Sequence, residues 1–224
     1  MALPSTPPPP TDRAYENALE QADGPFASLR AYCAWYTRDC VRGDARLCIC
    51  KVHPGPFADI ATVETRDTGR GSDAVSHVAA FRTPAGWRVS RRGVEAHDGA
   101  ETSQGASRAS VRFDHHEMRD VLGDATPERL FWFTQAKEHS PPGVGGWSVY
   151  SRTDAFIACV DASPPRCTEP LDARTIYPAY PRDAGVSGMP TLRKDAHGRL
   201  VIDDPTSGEP PMVYEFREKD EAAD

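Results

Sequence analysis

Hydrophobic and polar residues alternate along much of the chain after residue 57, which is the pattern of β-strands that bury one face. Short stretches rich in Gly, Pro and Asp separate these segments, so neighbouring strands should pair as antiparallel hairpins. The predicted strands are 60–65, 75–83, 87–90, 111–117, 130–134, 147–151 and 154–160, with one more hairpin around 195–198.

The N-terminal region has a different pattern and predicts helices. Asp12 is a candidate N-cap for a helix over 12–22. An apolar stripe at helical spacing indicates a second helix over 25–37; it consists of Phe26, Leu29, Cys33 and Tyr36. Helices and strands do not alternate along the chain, so a doubly wound parallel sheet is not expected. We therefore predict an α+β fold, in which N-terminal helices pack on twisted antiparallel sheets and β-structure dominates after residue 57.

Shifts in composition divide the chain into five segments, although its folded part could also form one compact domain. A proline-rich spacer comes first, and a polar linker of small residues separates two β-containing regions. The segments are 1–11 (spacer), 12–97 (helices and first β-hairpin region), 98–109 (linker), 110–216 (second β region) and 217–224 (charged tail expected to fray).

Composition points to a loop-rich protein with a modest core. Hydrophobic residues make up 39% of the chain, and 21 of its 224 residues are proline. Such a chain gains from cross-links. The net charge of −7 argues against a nucleic-acid partner, and the sequence has no apolar stretch long enough for a transmembrane segment.

The six cysteines favour disulfides over a zinc site or free thiols, because the count is even and paired zinc knuckles are absent. Cys159 and Cys167 should face each other across a hairpin. Cys48 and Cys50 flank one residue of an extended segment, so they should bond two different partners. The zinc alternative would add His53. The full set is Cys33, Cys40, Cys48, Cys50, Cys159 and Cys167.

Disulfides imply an extracytoplasmic location, in the periplasm, the cell envelope or the extracellular space. Residues 1–11 lack the basic and apolar regions of a secretory signal. The proline run is typical of a spacer behind a cleavage site or lipid anchor, so we expect that an export signal has been removed. The alternative is a cytosolic protein with reduced thiols.

The segment DHHE holds the densest run of titratable groups. On a strand, His115 and Glu117 share one face, and Asp114 and His116 share the other. Only two possible metal ligands, His115 and Glu117, then lie together, so a solvated strand face is favoured over a metal site. A hydrolase that uses this segment is the alternative function.

A local basic patch beside Trp87 could hold an anion or a sugar acid through bidentate contacts. The competing interpretation is an exposed hairpin rim in an acidic protein. The patch consists of Arg82, Arg88, Arg91 and Arg92.

The segment DVLGDATPE, which lies between two predicted strands, resembles the calcium loop of FG-GAP-type β-repeats. Leu122 replaces a ligand and Ala125 replaces the turn glycine of that pattern, so the resemblance implies weak calcium binding at most. The competing interpretation is a structural turn. The acids that match the pattern are Asp120, Asp124 and Glu128.

The order of four segments resembles uncharacterised exported bacterial proteins, and this likeness implies no activity. The segments are PFASLRAYCAWY, FRTPAGWRV, RDVLGDATPERLFWF and AFIACVDASPPRCTEPL. We predict a non-catalytic envelope or secreted protein that binds an unidentified protein or extracellular ligand through a sheet surface. No cofactor is expected beyond weak calcium.

Overall fold

The computed structural model describes residues 13–42, 47–68, 73–97, 99–102, 105–121, 125–140, 146, 148–176, 190–204 and 209–218. These residues contain one helix, α1 (Leu29–Arg42), and sixteen strands. The strands are β1 (Arg13–Gln21), β2 (Asp23–Phe26), β3 (Leu47–Pro54), β4 (Ile60–Thr68), β5 (Asp73–Thr83), β6 (Gly86–Val89), β7 (Val94–His97), β8 (Gly99–Thr102), β9 (Gly105–Arg119), β10 (Glu128–Ser140), β11 (Ser148–Val160), β12 (Arg166–Thr168), β13 (Leu171–Ile176), β14 (Thr191–Lys194), β15 (Leu200–Asp203) and β16 (Met212–Glu218).

Six strands form the small sheet, which is antiparallel throughout. Its order is β2-β6-β5-β4-β3, and β7 also pairs with β5. Strands β6 and β7 pair with opposite ends of β5, near Ala80 and near Val75 respectively. The helix-covered face of this sheet carries the candidate site described below.

Ten strands form the large sheet, in the order β14-β15-β16-β1-β12-β11-β10-β9-β8, with β13 also paired to β11. The N-terminal strand β1 lies inside this sheet, because it pairs in parallel with β16 and antiparallel with β12. The first and last described strands are therefore neighbours.

The two sheets pack face to face around one hydrophobic core. Phe81 of the small sheet and Phe131, Phe133 and Ile157 of the large sheet are fully buried there. A second core lies on the opposite face of β10 and β11. There, side chains of β13, β15 and β16 pack with Trp132 and Phe156. Helix α1 packs on the remaining face of the small sheet and forms a third core that includes Tyr32.

The predicted α+β fold is wrong, because the protein is mostly β with a single described helix. The segment predicted as a helix over 12–22 forms β1 instead. Its local helix preference amounts to only about a few tenths of a kcal/mol per residue. Hydrogen bonding to β12 and β16, which lie far away in sequence, outweighs that preference.

The second predicted helix is present with shifted ends. Helix α1 begins at Leu29 rather than 25, because Ser28 accepts a hydrogen bond at Oγ from the amide of Ala31 (3.1 Å) and caps the helix. Phe26 of the predicted stripe belongs to β2.

The predicted boundaries fall on the following elements. The segment 98–109 contains β8 and the start of β9, and β16 extends to Glu218. Residues 1–11 and the rest of the charged tail lie outside the described residues.

All six cysteines form disulfides, in the pairs Cys33–Cys50, Cys40–Cys48 and Cys159–Cys167. Cys159 and Cys167 face each other directly in the register of β11 and β12. Cys48 and Cys50 bond two different cysteines of α1. Three disulfides in a chain of this size indicate an oxidising, extracytoplasmic environment.

Candidate functional site

The candidate site is a slot on the helix-covered face of the small sheet. A helix is about 10 Å wide and neighbouring strands are about 4.8 Å apart, so one helix covers roughly two strands. Two disulfides fasten α1 to the edge strand β3, at Cys50 and Cys48. The slot lies beside the helix, over parts of β4, β5 and β7.

The slot has a volume of about 310 Å³, which lies at the lower end of the range for small-molecule sites. Its floor comes from β4 and β5, where Thr65 and Val78 are buried and Ser76 is half-buried. The Thr65 hydroxyl donates to the carbonyl of Ser76 (3.4 Å), so it is already paired within the sheet.

An aromatic wall, formed by Tyr32, Trp35 and Tyr36 of α1, bounds the slot on one side. The ring centroid of Tyr32 lies 5.7 Å from that of Trp35 and 6.4 Å from that of Tyr36. Phe26 packs behind the wall, 5.2 Å from the Tyr32 ring. Trp35 and Tyr36 are half-buried, so parts of their surfaces remain open to a ligand.

The phenol of Tyr32 stays protonated at neutral pH. Burial, together with the nearby Asp23 and Tyr36, raises the pKa of this hydroxyl above its usual range. A protonated phenol can donate a hydrogen bond and leaves the wall uncharged.

Four charged side chains line the rim of the slot: Asp23, Asp39, Arg91 and Glu95. Arg91 donates from Nε to the Asp23 carboxylate (3.2 Å), so its charge is already paired. Burial raises the pKa of Asp23, and the hydrogen bond from Arg91 opposes that shift. The formal charge of the rim is −2, because three carboxylates face one guanidinium.

Two glycines allow the rim to form. Gly24 has a φ of +113°, and a side chain there would approach the carbonyl oxygen of Trp87 to 2.6 Å. This conformation places Asp23 against β6. A Cβ atom on Gly93 would lie 2.8 Å from the carbonyl oxygen of His77, so only glycine permits the close approach that leads into β7.

Three of the four predicted patch arginines contact the N-terminal strands. Arg88 donates to the carbonyl of Gly24 (2.7 Å), Arg91 pairs with Asp23, and Arg92 Nε lies 3.7 Å from a Glu20 carboxylate oxygen. These contacts link β1 and β2 to β6 and to the segment that follows it. Arg82, the fourth, is exposed on β5.

The segment DHHE is divided between two faces of the large sheet, and a bulge changes the predicted division. In the register of β9 against β10, Trp132 pairs with His115 and Phe133 pairs with Phe113. Asp114 is therefore the extra residue of a bulge in β9. Its carboxylate accepts a hydrogen bond from the hydroxyl of Thr134, on the face that Trp132 shares. Asp114 therefore lies on the side of His115, rather than on the side of His116.

His115 and Glu117 make contacts within their own sheet, whereas the ring of His116 also lies 6.4 Å from that of Phe57, between β3 and β4. His115 stacks on Trp132 with ring centroids 5.8 Å apart, and Glu117 accepts from Trp132 Nε1 (2.9 Å). Trp132 is buried in the second core. His116 faces the small sheet and packs on Phe131, 5.3 Å between ring centroids.

Two acids of the predicted calcium loop, Asp120 and Glu128, accept hydrogen bonds from backbone amides. Glu128, which is fully buried, accepts from the amide of Val121 (2.5 Å), and Asp120 accepts from the amide of Ala125 (3.2 Å). Ala125 has a φ of +66°, which suits its place in the turn. Asp124 lies outside the described residues. In the part of the chain that the structure describes, no three His, Cys, Asp or Glu side chains are grouped to hold a metal.

A larger concavity of about 650 Å³ lies on the other side of α1, over the Cys33–Cys50 bridge. Its lining contains neither a carboxylate nor an aromatic ring, and its charges come from Arg30 and Arg38. It offers fewer groups that could orient a ligand than the slot does.

Apart from Arg91, which belongs to the predicted basic patch, the slot residues were not identified as a site from the sequence, because they come from separated elements and form no motif. The stripe that contains Cys33 and Tyr36 indicates one buried helix face. The three aromatic residues within 32–36 were the signal in the sequence that could have indicated the slot, because all three line it.

Comparisons of the chain with protein-family models, with curated proteins and with solved structures found no match. Within the described residues, no helix combines the length and the apolar character needed to cross a membrane.

Proposed function

We propose that this protein is a non-catalytic binding protein of the periplasm, the cell envelope or the extracellular space. Its ligand, either a small molecule or a side chain of a partner protein, binds in the slot on the helix-covered face of the small sheet. The observation that carries this proposal is a concave site that joins an aromatic wall to a charged rim.

The disulfides support the extracytoplasmic part of this proposal. Two of them hold the helix that forms the aromatic wall, so the shape of the slot depends on an oxidising compartment. A reducing cytosol would remove the bonds that fix α1 to β3.

The hydrolase alternative at Asp114–Glu117 has less support. A catalytic site needs an acid, a base and a substrate cavity within reach of one another. Here Glu117 and His115 pack around the buried Trp132, and Asp114 bonds to Thr134. These contacts serve the large sheet, and the slot lies on the other sheet.

The test is a thermal-unfolding screen of the whole protein with sugars, amines, organic acids and short peptides. Ala74→Trp fills the slot from β5, whereas Ala136→Trp adds the same bulk to a half-buried strand position elsewhere. We expect at least one ligand class to raise the melting temperature of the wild type and of Ala136→Trp, but not that of Ala74→Trp.

If no ligand class distinguishes the two variants, the slot is not a binding site and the proposal fails. Turnover of ester, peptide, phosphate or glycoside substrates that disappears in Glu117→Gln would establish the hydrolase instead.

A further inference from the structure

The rim and the wall of the slot together define the charge of the ligand. Asp23, Asp39 and Glu95 contribute three negative charges, and Arg91 contributes one positive charge that Asp23 already pairs. The Glu95 side chain is 57% exposed and can turn towards a ligand. Glu95 Oε2 also lies 3.4 Å from Nε2 of His97. An anionic ligand would meet the carboxylates of Asp39 and Glu95, and a cationic ligand would be attracted by them.

The aromatic wall favours the same charge. The faces of Trp and Tyr rings carry negative electrostatic potential and attract cations that lie within about 6 Å of the ring centre. Trp35 and Tyr36 are half-buried at the slot and are backed by the buried Tyr32. A cation with an apolar surface can therefore lie on the rings while it faces the carboxylates.

From this geometry we propose that the slot binds an organic ammonium cation, held between the aromatic wall of α1 and the carboxylates of Asp39 and Glu95. The inference rests on the proposed binding function and adds the chemical class of the ligand. Sugars are a weaker match, because hydroxyl groups need donors and acceptors in pairs and the Thr65 hydroxyl is already bonded to the sheet.

The same ammonium chemistry can come from a free small molecule or from a lysine side chain. The slot volume of about 310 Å³ suits either source. The experiment therefore uses choline for the first source and Nα-acetyl-lysine-N-methylamide for the second, and the tighter of the two identifies the source.

The decisive comparison is between choline and 3,3-dimethylbutan-1-ol, which has the same shape without the charge. Titration calorimetry of the whole protein should give about tenfold tighter binding of choline, the size expected for a cation over aromatic rings. Asp39→Asn and Glu95→Gln should each weaken choline binding about threefold, as partly exposed charges do. Asp161→Asn, which removes an exposed carboxylate outside the slot, should leave it unchanged.

Three outcomes separate the possibilities. Equal binding of choline and its neutral isostere, or equal effects of Asp39→Asn and Asp161→Asn, would overturn the ammonium proposal. A sugar or an organic acid that binds wild type but not Ala74→Trp would also overturn it, while the proposed binding function would stand. If neither ammonium nor any other probe binds in a slot-dependent way, both proposals fall.

Discussion

The two faces of the small sheet are covered in different ways, and the difference explains where a binding site can form. The large sheet closes one face completely, with Phe81 and Phe131 fully buried between the sheets. A single helix covers the other face and leaves charged groups open beside it. A sheet matches the width of another sheet, whereas a helix does not. Function is therefore expected on the helix side, and most of the stability on the sheet side.

The largest difference between the faces should appear on truncation of an aromatic ring. Phe131→Ala leaves a cavity in a closed core and should lower the free energy of unfolding by about 3–5 kcal/mol. Trp35→Ala, on the half-open wall, should cost about half as much, since much of that ring already contacts solvent. Urea denaturation of both variants measures the two values. A larger loss for Trp35→Ala would reverse the assignment of the two faces.

The order of these strands shows what the sequence can and cannot reveal. Alternation of polar and apolar residues predicts a strand at 60–65, and a continuous apolar run predicts one at 130–134; these segments lie within β4 and β10. These strands pair with neighbours in sequence. The strand β1 could not be predicted, because its partners are β12 and β16 and its composition favours a helix.

The slot could not be predicted either, because its residues are distant from one another in the sequence. Asp23, Asp39 and Glu95 come from β2, α1 and β7, which meet only after the sheet has formed. By contrast, the run at Asp114–Glu117 lies on one strand, and the carboxylates of Asp114 and Glu117 accept hydrogen bonds from β10 of the same sheet. The densest run of titratable residues in the sequence was therefore a poor guide to the position of the slot.

The second prediction concerns the disulfide that anchors the helix to the sheet. Replacement of both Cys33 and Cys50 by Ala opens a loop with a sequence separation of 17 and should destabilise the protein by about 3 kcal/mol. Amide exchange should become faster in α1 than in β10, because the helix loses its link to the edge strand. Unchanged protection of α1 would show that the aromatic contacts alone hold the wall.

The third prediction uses the histidines of the closed face. Burial lowers the pKa of His77, with a further contribution from His53, while Glu64 opposes the shift. Burial also lowers the pKa of His116, and Arg129 adds to it. In the unfolded chain both groups titrate near 6.5, so protons bind more readily to the unfolded state. Stability should be complete above about pH 6.5 and should fall as the pH decreases through that value.

Urea denaturation between pH 8 and pH 5 measures this effect, with 0.15 M salt held constant. His77→Gln removes one of the two titrations and should flatten the fall in unfolding free energy, although it also changes packing. Val78→Ala, which removes buried volume from the same strand but no titratable group, is the matched control and should keep the slope of the wild type. Identical slopes in all three proteins would mean that buried His77 does not contribute.

The smallest stability effect is expected at the open face, on neutralisation of a rim carboxylate. Asp39 is exposed on α1 at the rim of the slot, so its carboxylate is solvated in the folded protein. Asp39→Asn should therefore change the unfolding free energy by less than about 0.5 kcal/mol. If the replacement weakens ligand binding but leaves the fold intact, the carboxylate serves binding rather than folding.

The paired comparison for Asp39→Asn is Asp154→Asn, because Asp154 is buried and bonds to Arg174, so its loss should be severe. A loss above about 1 kcal/mol in Asp39→Asn would mean that the carboxylate stabilises α1, and the distinction between a folding face and a binding face would no longer hold.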